Sequence, residues 1–263
     1  MLYFHSWSGG KDSTASIILD HIHGLPPSEI VMAEVMFDHS RNISGELPEH
    51  IDFVYNKAKP RFESWGYKVT ILRDERDYLS NFFHKVAKSK KTSRNGKLRG
   101  FPIGGRCTIQ RDLKLAPIQK YYKQFAGMDI TQYVGIATDE PKRLERLRGT
   151  NKVSLLERYG YTEEMAHKLC KECDLLSPVY DFSNRGGCWF CPNAKYEEFA
   201  RIKRVHPHLW AEIVELSRER GLISYGFKYE KTVQEVDVEI SAIIAEWELM
   251  ENQISIFDLL EEK

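Results

Sequence analysis

Residues 6–16, SWSGGKDSTAS, gather glycines, a lysine and several hydroxyls between two apolar runs, Leu2-Tyr3-Phe4 and Ile17-Ile18-Leu19. Such a mixture suits phosphate. Two glycines, Gly9 and Gly10, let backbone amides approach an anion closely. A helix that follows aims its N–H groups and dipole at the same point. Ser8, Ser13 and Thr14 add hydrogen-bond donors, and Lys11 adds charge. The pattern is not the G-x-x-x-x-G-K-[ST] loop of kinase-like proteins, because Asp12 follows Lys11 and His5 stands five before Gly10. The bland alternative is a glycine turn capped by Asp12 or Ser13.

A second concentration of chemistry is sulfur. The five cysteines are Cys107, Cys170, Cys173, Cys188 and Cys191. An odd number argues against a disulfide framework. The pairs Cys170-x-x-Cys173 and Cys188-x-x-Cys191, fourteen residues apart, have the spacing of a four-cysteine zinc site. Thiolates suit zinc and iron–sulfur alike, and spacing does not choose between them.

Carboxylates and cations complete the set. Asp139 and Glu140 are adjacent and suit magnesium, which takes carboxylate and phosphate oxygens together. Lys142 and Arg143 suit phosphate itself, Arg in two-pronged geometry. Arg111 and Lys114 share one helix face. Each of these could equally be a solvated surface charge, and Asp38 could be a turn cap. No residue stands out as a general base.

These groups need elements to hold them. Residues 2–5 read as a strand, 12–23 as a helix stopped by Gly24-Leu25-Pro26-Pro27, and 29–37 as a buried strand ending at Asp38. Residues 48–65 have helical spacing, with Ile51, Val54, Tyr55, Ala58 and Phe62 on one side. Strands are expected again at 67–72 and 133–137, with a helix over 113–125 between them. The segment 89–105 is basic and carries glycines, so it reads as an exposed loop. From Glu145 onward helices dominate, including 207–220, which starts at a proline and stops at Gly221. The alternation predicts an α/β fold with a doubly wound, mostly parallel sheet over 1–144, and a helical, cysteine-rich part with a tail over 145–263.

The hexapeptide Ser-Gly-Gly-Lys-Asp-Ser (8–13) resembles the PP-loop of the adenine nucleotide α-hydrolases, the N-type ATP pyrophosphatases. Four further stretches resemble the PAPS-reductase-like branch of that superfamily: FDHSRNISGELPEH, CTIQRDLKLAPI, GIATDEPKRLERL and LLSPVYDFSNRGGCWFCPN. They spread over most of the chain and are more specific together than the loop alone. The resemblance implies a grip on pyrophosphate and cleavage between the α- and β-phosphates of ATP or a PAPS-like nucleotide, with Lys11 and Ser13 catalytic. It implies an acidic residue near the nucleoside at Asp38, a second phosphate-side cluster at Asp139, Glu140 and Arg143 with Mg2+, and a substrate-side cation at Lys114. It also implies a 4Fe-4S cluster on Cys107, Cys170, Cys188 and Cys191, with Cys173 spare and zinc as the alternative metal. Trp189 and Phe190 would shield such a cluster. Assimilatory PAPS reductases use a cysteine near the C-terminus, and no cysteine follows Cys191. Sulfur transfer to an adenylated acceptor, from a sulfur donor, is therefore expected ahead of sulfonucleotide reduction with an external thiol. The acceptor class stays open: tRNA, DNA or a small molecule.

A non-enzymatic reading, a nucleotide-sensing or DNA-associated module, would use the basic loop 88–99. It would also use Gln253-Ile254-Ser255-Ile256-Phe257, which resembles a sliding-clamp-docking peptide. That tail could equally pack as a terminal helix. Net charge is zero over 263 residues, so overall charge argues for neither nucleic acid nor membrane. No apolar run is long enough to span a bilayer, and no signal peptide is apparent. A cytoplasmic enzyme without a membrane partner is the expectation.

Overall fold

The computed structural model describes residues 1–102, 107–183 and 186–261, and their side chains as far as residue 252. The chain divides into two compact units, both discontinuous. One comprises Met1–Tyr78 and Ile109–Cys188, the other Leu79–Thr108 and Trp189–Lys263.

The first unit is α/β. Its strands are β1 (Leu2–Trp7), β2 (Ser28–Ala33), β3 (Met36–Asp38), β4 (Ile43–Ser44), β5 (Lys68–Leu72), β6 (Ile130–Val134) and β7 (Lys152–Val153). Five of them form one parallel sheet in the order β5-β2-β1-β6-β7. Its helices are α1 (Lys11–His23), α2 (Pro48–Asp52), α3 (Lys59–Ser64), α5 (Ala116–Tyr122), α6 (Pro141–Leu144), α7 (Leu155–Tyr159) and α8 (Glu163–Glu172), whereas α4 (Tyr78–Phe82) belongs, except for Tyr78, to the second unit. Parallel strands need crossovers, and α1 supplies the one from β1 to β2. It ends where Gly24 turns left-handed, φ 56°, and its N–H returns to the carbonyls of Asp20 and His21. The sequence β1-α1-β2 fills one side of β1, whereas β6 pairs on the other. The strand order therefore reverses at β1, the place where open α/β sheets bind ligands beyond their carboxyl ends.

Two strands differ from their sequence-based bounds for local reasons. The apolar run 29–37 splits after Ala33. There the buried Glu34 carboxylate accepts from Tyr55 Oη at 2.7 Å and Arg73 Nε at 2.9 Å, and Met36–Asp38 turns away to pair antiparallel with β4. The fourth sheet strand ends at Val134, because a Cβ at Gly135 would meet Ser13 N at 2.4 Å and Asp12 C at 2.5 Å. The chain leaves the sheet there to pass against the start of α1.

The helix over 48–65 forms with a π-helical turn, Phe53–Ala58, inside it, and a second π turn, Gln110–Leu115, precedes α5. Each runs into a proline, Pro60 or Pro117, in the first turn of the next helix. A proline has no N–H to return to the fourth residue back, so the ladder slips by one.

A single boundary after residue 144 is not where the units part. Helices α7 and α8 give Leu156, Ala166 and Cys170 to the same core as Trp7, Ile17, Ile18 and Phe62. The second unit holds α9 (Tyr196–Val205), α10 (Pro207–Leu216) and α11 (Val233–Glu261) around an aromatic core of Phe82, Phe101, Phe199, Trp210 and Phe227. The clamp-like peptide 253–257 falls within α11, and its side chains lie outside the described residues. Among the described residues no helix is long and apolar enough to cross a membrane.

Candidate nucleotide site

At the carboxyl end of β1, Ser8, Gly9 and Gly10 turn into α1. Gly9 has φ +73°, and a Cβ there would lie 2.5 Å from the His50 ring, so only glycine fits. His50, from α2, is buried. Its Nε2 faces the Ser8 carbonyl at 3.1 Å and its Nδ1 faces Ser177 Oγ at 2.7 Å. The loop is thus braced from behind by a residue that touches only its backbone. From within, Ser13 Oγ accepts from Ser8 N at 3.2 Å and donates to the Gly10 carbonyl at 3.0 Å. Trp7 Nε1 donates to Thr14 Oγ1 at 3.0 Å, tying β1 to the first turn of α1.

In front of the loop lies a cleft of about 350 Å³, lined by Ser8, Gly10, Lys11, Asp12 and Ser13 and, from elsewhere, Glu46, Lys114, Gly135, Arg143, Glu163, Tyr180, Gly186 and Gly187. Every cation in it has a carboxylate partner. Lys11 Nζ donates to Asp12 at 2.8 and 3.0 Å and to Glu163 Oε2 at 2.7 Å. Lys114 Nζ donates to the buried Glu46 at 2.7 Å, and Arg143 pairs with Glu140. Burial works against the Lys11 ammonium, but hydrogen bonds and charge from Asp12 and Glu163 outweigh it and hold its pKa above the ordinary lysine value. Burial, with the charges of Glu163 and Glu140, raises Asp12 despite Lys11 beside it. Burial also favours the protonated Glu46, yet the charges of Lys114 and His50 and the Lys114 hydrogen bond pull its pKa below the usual range. The Tyr180 hydroxyl accepts the Lys11 N–H at 2.9 Å. Burial raises its pKa above the ordinary tyrosine value.

The residues expected from sequence separate into three groups. Ser8, Gly10, Lys11, Asp12, Ser13, Lys114 and Arg143 are brought together in the cleft, with Gly9 behind it. Asp139 and Glu140 lie outside the lining: Asp139 accepts the Glu163 N–H at 3.2 and 3.3 Å, and Glu140 accepts the Ala137 N–H at 3.3 Å while pairing with Arg143. Asp38 is outside the lining. It accepts from Ser40 N and Oγ at 2.8 and 2.7 Å and from Arg41 Nε at 2.5 Å, a turn cap. Sequence reasoning did not single out Glu46, His50, Gly135, Glu163, Ser177 and Tyr180. All but Glu163 lie in stretches already marked by resemblance, so the signal was there without a role.

Among the described residues no three His, Cys, Asp or Glu side chains are grouped to hold a metal ion. Cys170 is fully buried, and its thiol donates to the Lys11 carbonyl at 3.2 Å. Burial pushes its pKa far up, the opposite of what a thiolate ligand needs. As arranged, Cys170 does not fit a cluster, and the Asp139-Glu140 pair does not fit magnesium. Cys107, Cys188 and Cys191 are half-buried.

The fold and site define an α/β protein with a parallel five-stranded sheet and a glycine-bearing loop opening on a charged cleft at the strand-order switch. No family model matches the chain. Two uncharacterized proteins of Methanocaldococcus jannaschii are similar to it. One is 25% identical over 223 residues, 82% of this chain and 47% of that protein; the other is 24% identical over 225 residues, 81% and 41%. The chain spans under half the length of these curated relatives. In structure it is similar to a phosphoadenylyl-sulfate (PAPS) reductase from Candida auris in a phosphate complex. The TM-score is 0.43, with 12% identity over 72% of this chain and 82% of that one.

Proposed function

We propose that the cleft binds an adenine nucleotide, ATP or a PAPS-like one, and that the chain breaks the bond between the α- and β-phosphates of ATP. An acceptor oxygen attacks the α-phosphorus, the bond to the bridging oxygen breaks, and pyrophosphate leaves with that oxygen. The observation that carries this reading is the Gly9-Gly10 turn at the switch in strand order, with Lys11 at the mouth of the cleft. Lys11 would exchange Glu163 for pyrophosphate oxygens and stabilise the charge that develops on them. Ser8 and the Tyr180 hydroxyl would donate to the same group. Arg143, released from Glu140, would clamp a phosphate in two-pronged fashion.

A later stage would have sulfide from an external sulfur donor attack the adenylated atom of the acceptor, with AMP leaving; no cysteine is assigned a role in it, and Cys170 is buried in the core. Magnesium as phosphate counterion and an iron–sulfur or zinc centre are expectations of the resemblance that Asp139, Glu140 and Cys170 do not fit as arranged, and no step is assigned to them.

The test is ATP turnover measured as AMP and pyrophosphate. Lys11→Ala, with its helix content unchanged by circular dichroism, is expected to abolish it. Nucleotide binding without turnover for any acceptor would select a sensing module. Sulfite release from PAPS with an external thiol would select a reductase.

A further inference from the structure

The first unit's cleft leaves one strong feature of the chain unused. Residues 79–108 carry Lys85, Lys88, Lys90, Lys91, Arg94, Lys97, Arg99 and Arg106 and no aspartate or glutamate, within a chain of zero net charge. All of them belong to the second unit. The segment is built, not merely basic. Val86 N donates to the Lys97 carbonyl at 2.9 Å, Gly96 N to Val86 O at 2.8 Å and Arg99 N to His84 O at 3.0 Å, which makes residues 84–99 a hairpin. A third segment adds to it: Leu98 N donates to Gly221 O at 2.9 Å and Ile223 N to Leu98 O at 2.8 Å. The tip is fixed by Ser89 N donating to Asn95 Oδ1 at 2.8 Å and by a 3-10 turn at Thr92–Arg94.

Lys85, Lys88, Lys90, Lys91, Arg94 and Lys97 are exposed, and none forms an ion pair among the described residues. The first unit's cleft is the opposite, with every cation already partnered. Along the hairpin, from its tip to the chain beyond its base, a cleft of about 470 Å³ is lined by Lys88, Arg94, Arg99, Phe101, Pro102 and Ile223 among others, with no acidic residue. Phe83 and Tyr225 are exposed aromatics on the paired segments or next to them.

We infer that this hairpin binds single-stranded RNA, its cleft taking one unpaired nucleotide and its outlying cations the flanking phosphates. The cleft has the volume of an ordinary small-molecule site. A free anion would fill it yet leave Lys85, Lys90, Lys91 and Lys97 unmatched, whereas a phosphodiester strand matches cations spread beyond one pocket. A base can enter only if it is unstacked, which a duplex forbids and RNA loops and bulges provide. The tip carries no apolar residues that would favour a lipid surface. RNA as acceptor of the adenylyl chemistry rests on the function proposed above; the binding itself does not.

The test is fluorescence anisotropy of a labelled RNA hairpin with an unpaired loop, at two salt concentrations. The wild-type protein, the Lys88→Ala/Arg94→Ala double variant and Lys168→Ala as a surface control would be compared. Tight binding to the loop is expected. The double variant should weaken it about tenfold and flatten the salt dependence by about 1.4 in log–log slope, the share of two phosphate contacts on a single strand. Lys168→Ala should bind as wild type does. No binding, equal binding to the same sequence as a blunt duplex or as single-stranded DNA, or a double variant indistinguishable from wild type would each overturn the inference. Lys11→Ala should lose ATP and keep RNA, and the double variant the reverse, so the two readings fail separately.

Discussion

Lys11 is held by two carboxylates whose surroundings differ. Asp12 is its chain neighbour and is largely buried, whereas the Glu163 side chain is 46% exposed. A partner so exposed contributes at most about 1 kcal/mol, so an incoming phosphate displaces Glu163 first. Glu163→Gln should therefore tighten binding of pyrophosphate or ATP about two- to fivefold by titration calorimetry. Unchanged or weaker binding would show that Glu163 does not compete for the ammonium. Asp38 gives a prediction of another kind. Hydrogen bonds from Ser40 and Arg41 hold its pKa at about 2, below the ordinary 3.8. A carboxyl group with a depressed folded-state pKa contributes stability above its unfolded value and loses it as pH falls through the folded one. Asp38→Asn should cost on the order of 1–2 kcal/mol near neutrality by urea unfolding, and the gap to wild type should close as pH falls from about 4 towards 2. Its nucleotide affinity should not change, because Asp38 lies outside the cleft. Sequence could mark Asp38 as a carboxylate at a strand end. It could not show that Ser40 and Arg41 would take both of its oxygens.

At the scale of elements, the site depends on how closely the start of α1 approaches the end of β6. Gly135 makes that approach possible, since a Cβ would lie 2.4–2.7 Å from backbone atoms of Asp12 and Ser13, which no side-chain rotation relieves. Gly135→Ala should cost roughly 1–3 kcal/mol of stability. It should also weaken ATP binding by more than Ser177→Ala, which removes only the hydroxyl facing His50. Denaturant titration and calorimetry on both variants read this directly, and a fully stable Gly135→Ala would mean that the approach is not tight. The strand–loop–helix unit at residues 2–23 was legible because strand pattern, glycines and helix stop agree over a short stretch. The split of residues 29–37 was not, because it depends on a buried Glu34 paired with Tyr55 and Arg73 from elsewhere in the chain. The π turns were half legible: spacing carried one helix over 48–65 through Pro60, but it could not show where the ladder slips.

For the molecule as a whole, chemistry and charge are divided between two units. Pairing neutralises the first unit's cleft, and the second carries an acid-free basic segment on its own aromatic core. Composition hid this division, since acidic residues elsewhere in the chain offset the basic segment and leave zero net charge. The order of elements along the chain hid it too. Residues 79–108 are inserted between strands of the sheet but belong with α9 to α11, whereas α7 and α8 lie beyond the expected boundary yet complete the core around α1. A ligand in the first cleft touches the β1–α1 loop, the chain after β6, the start of α8 and Tyr180, all within one unit. Binding stabilises the segments it contacts against local opening. ATP should therefore slow hydrogen–deuterium exchange in peptides covering 7–16, 134–144, 161–168 and 177–183, and leave 84–99 and 233–252 unchanged. RNA should slow exchange in 84–99 and leave the peptides of the first cleft unchanged. Protection by ATP confined to 84–99 would place the nucleotide in the basic cleft and remove the basis for assigning the two clefts different ligands.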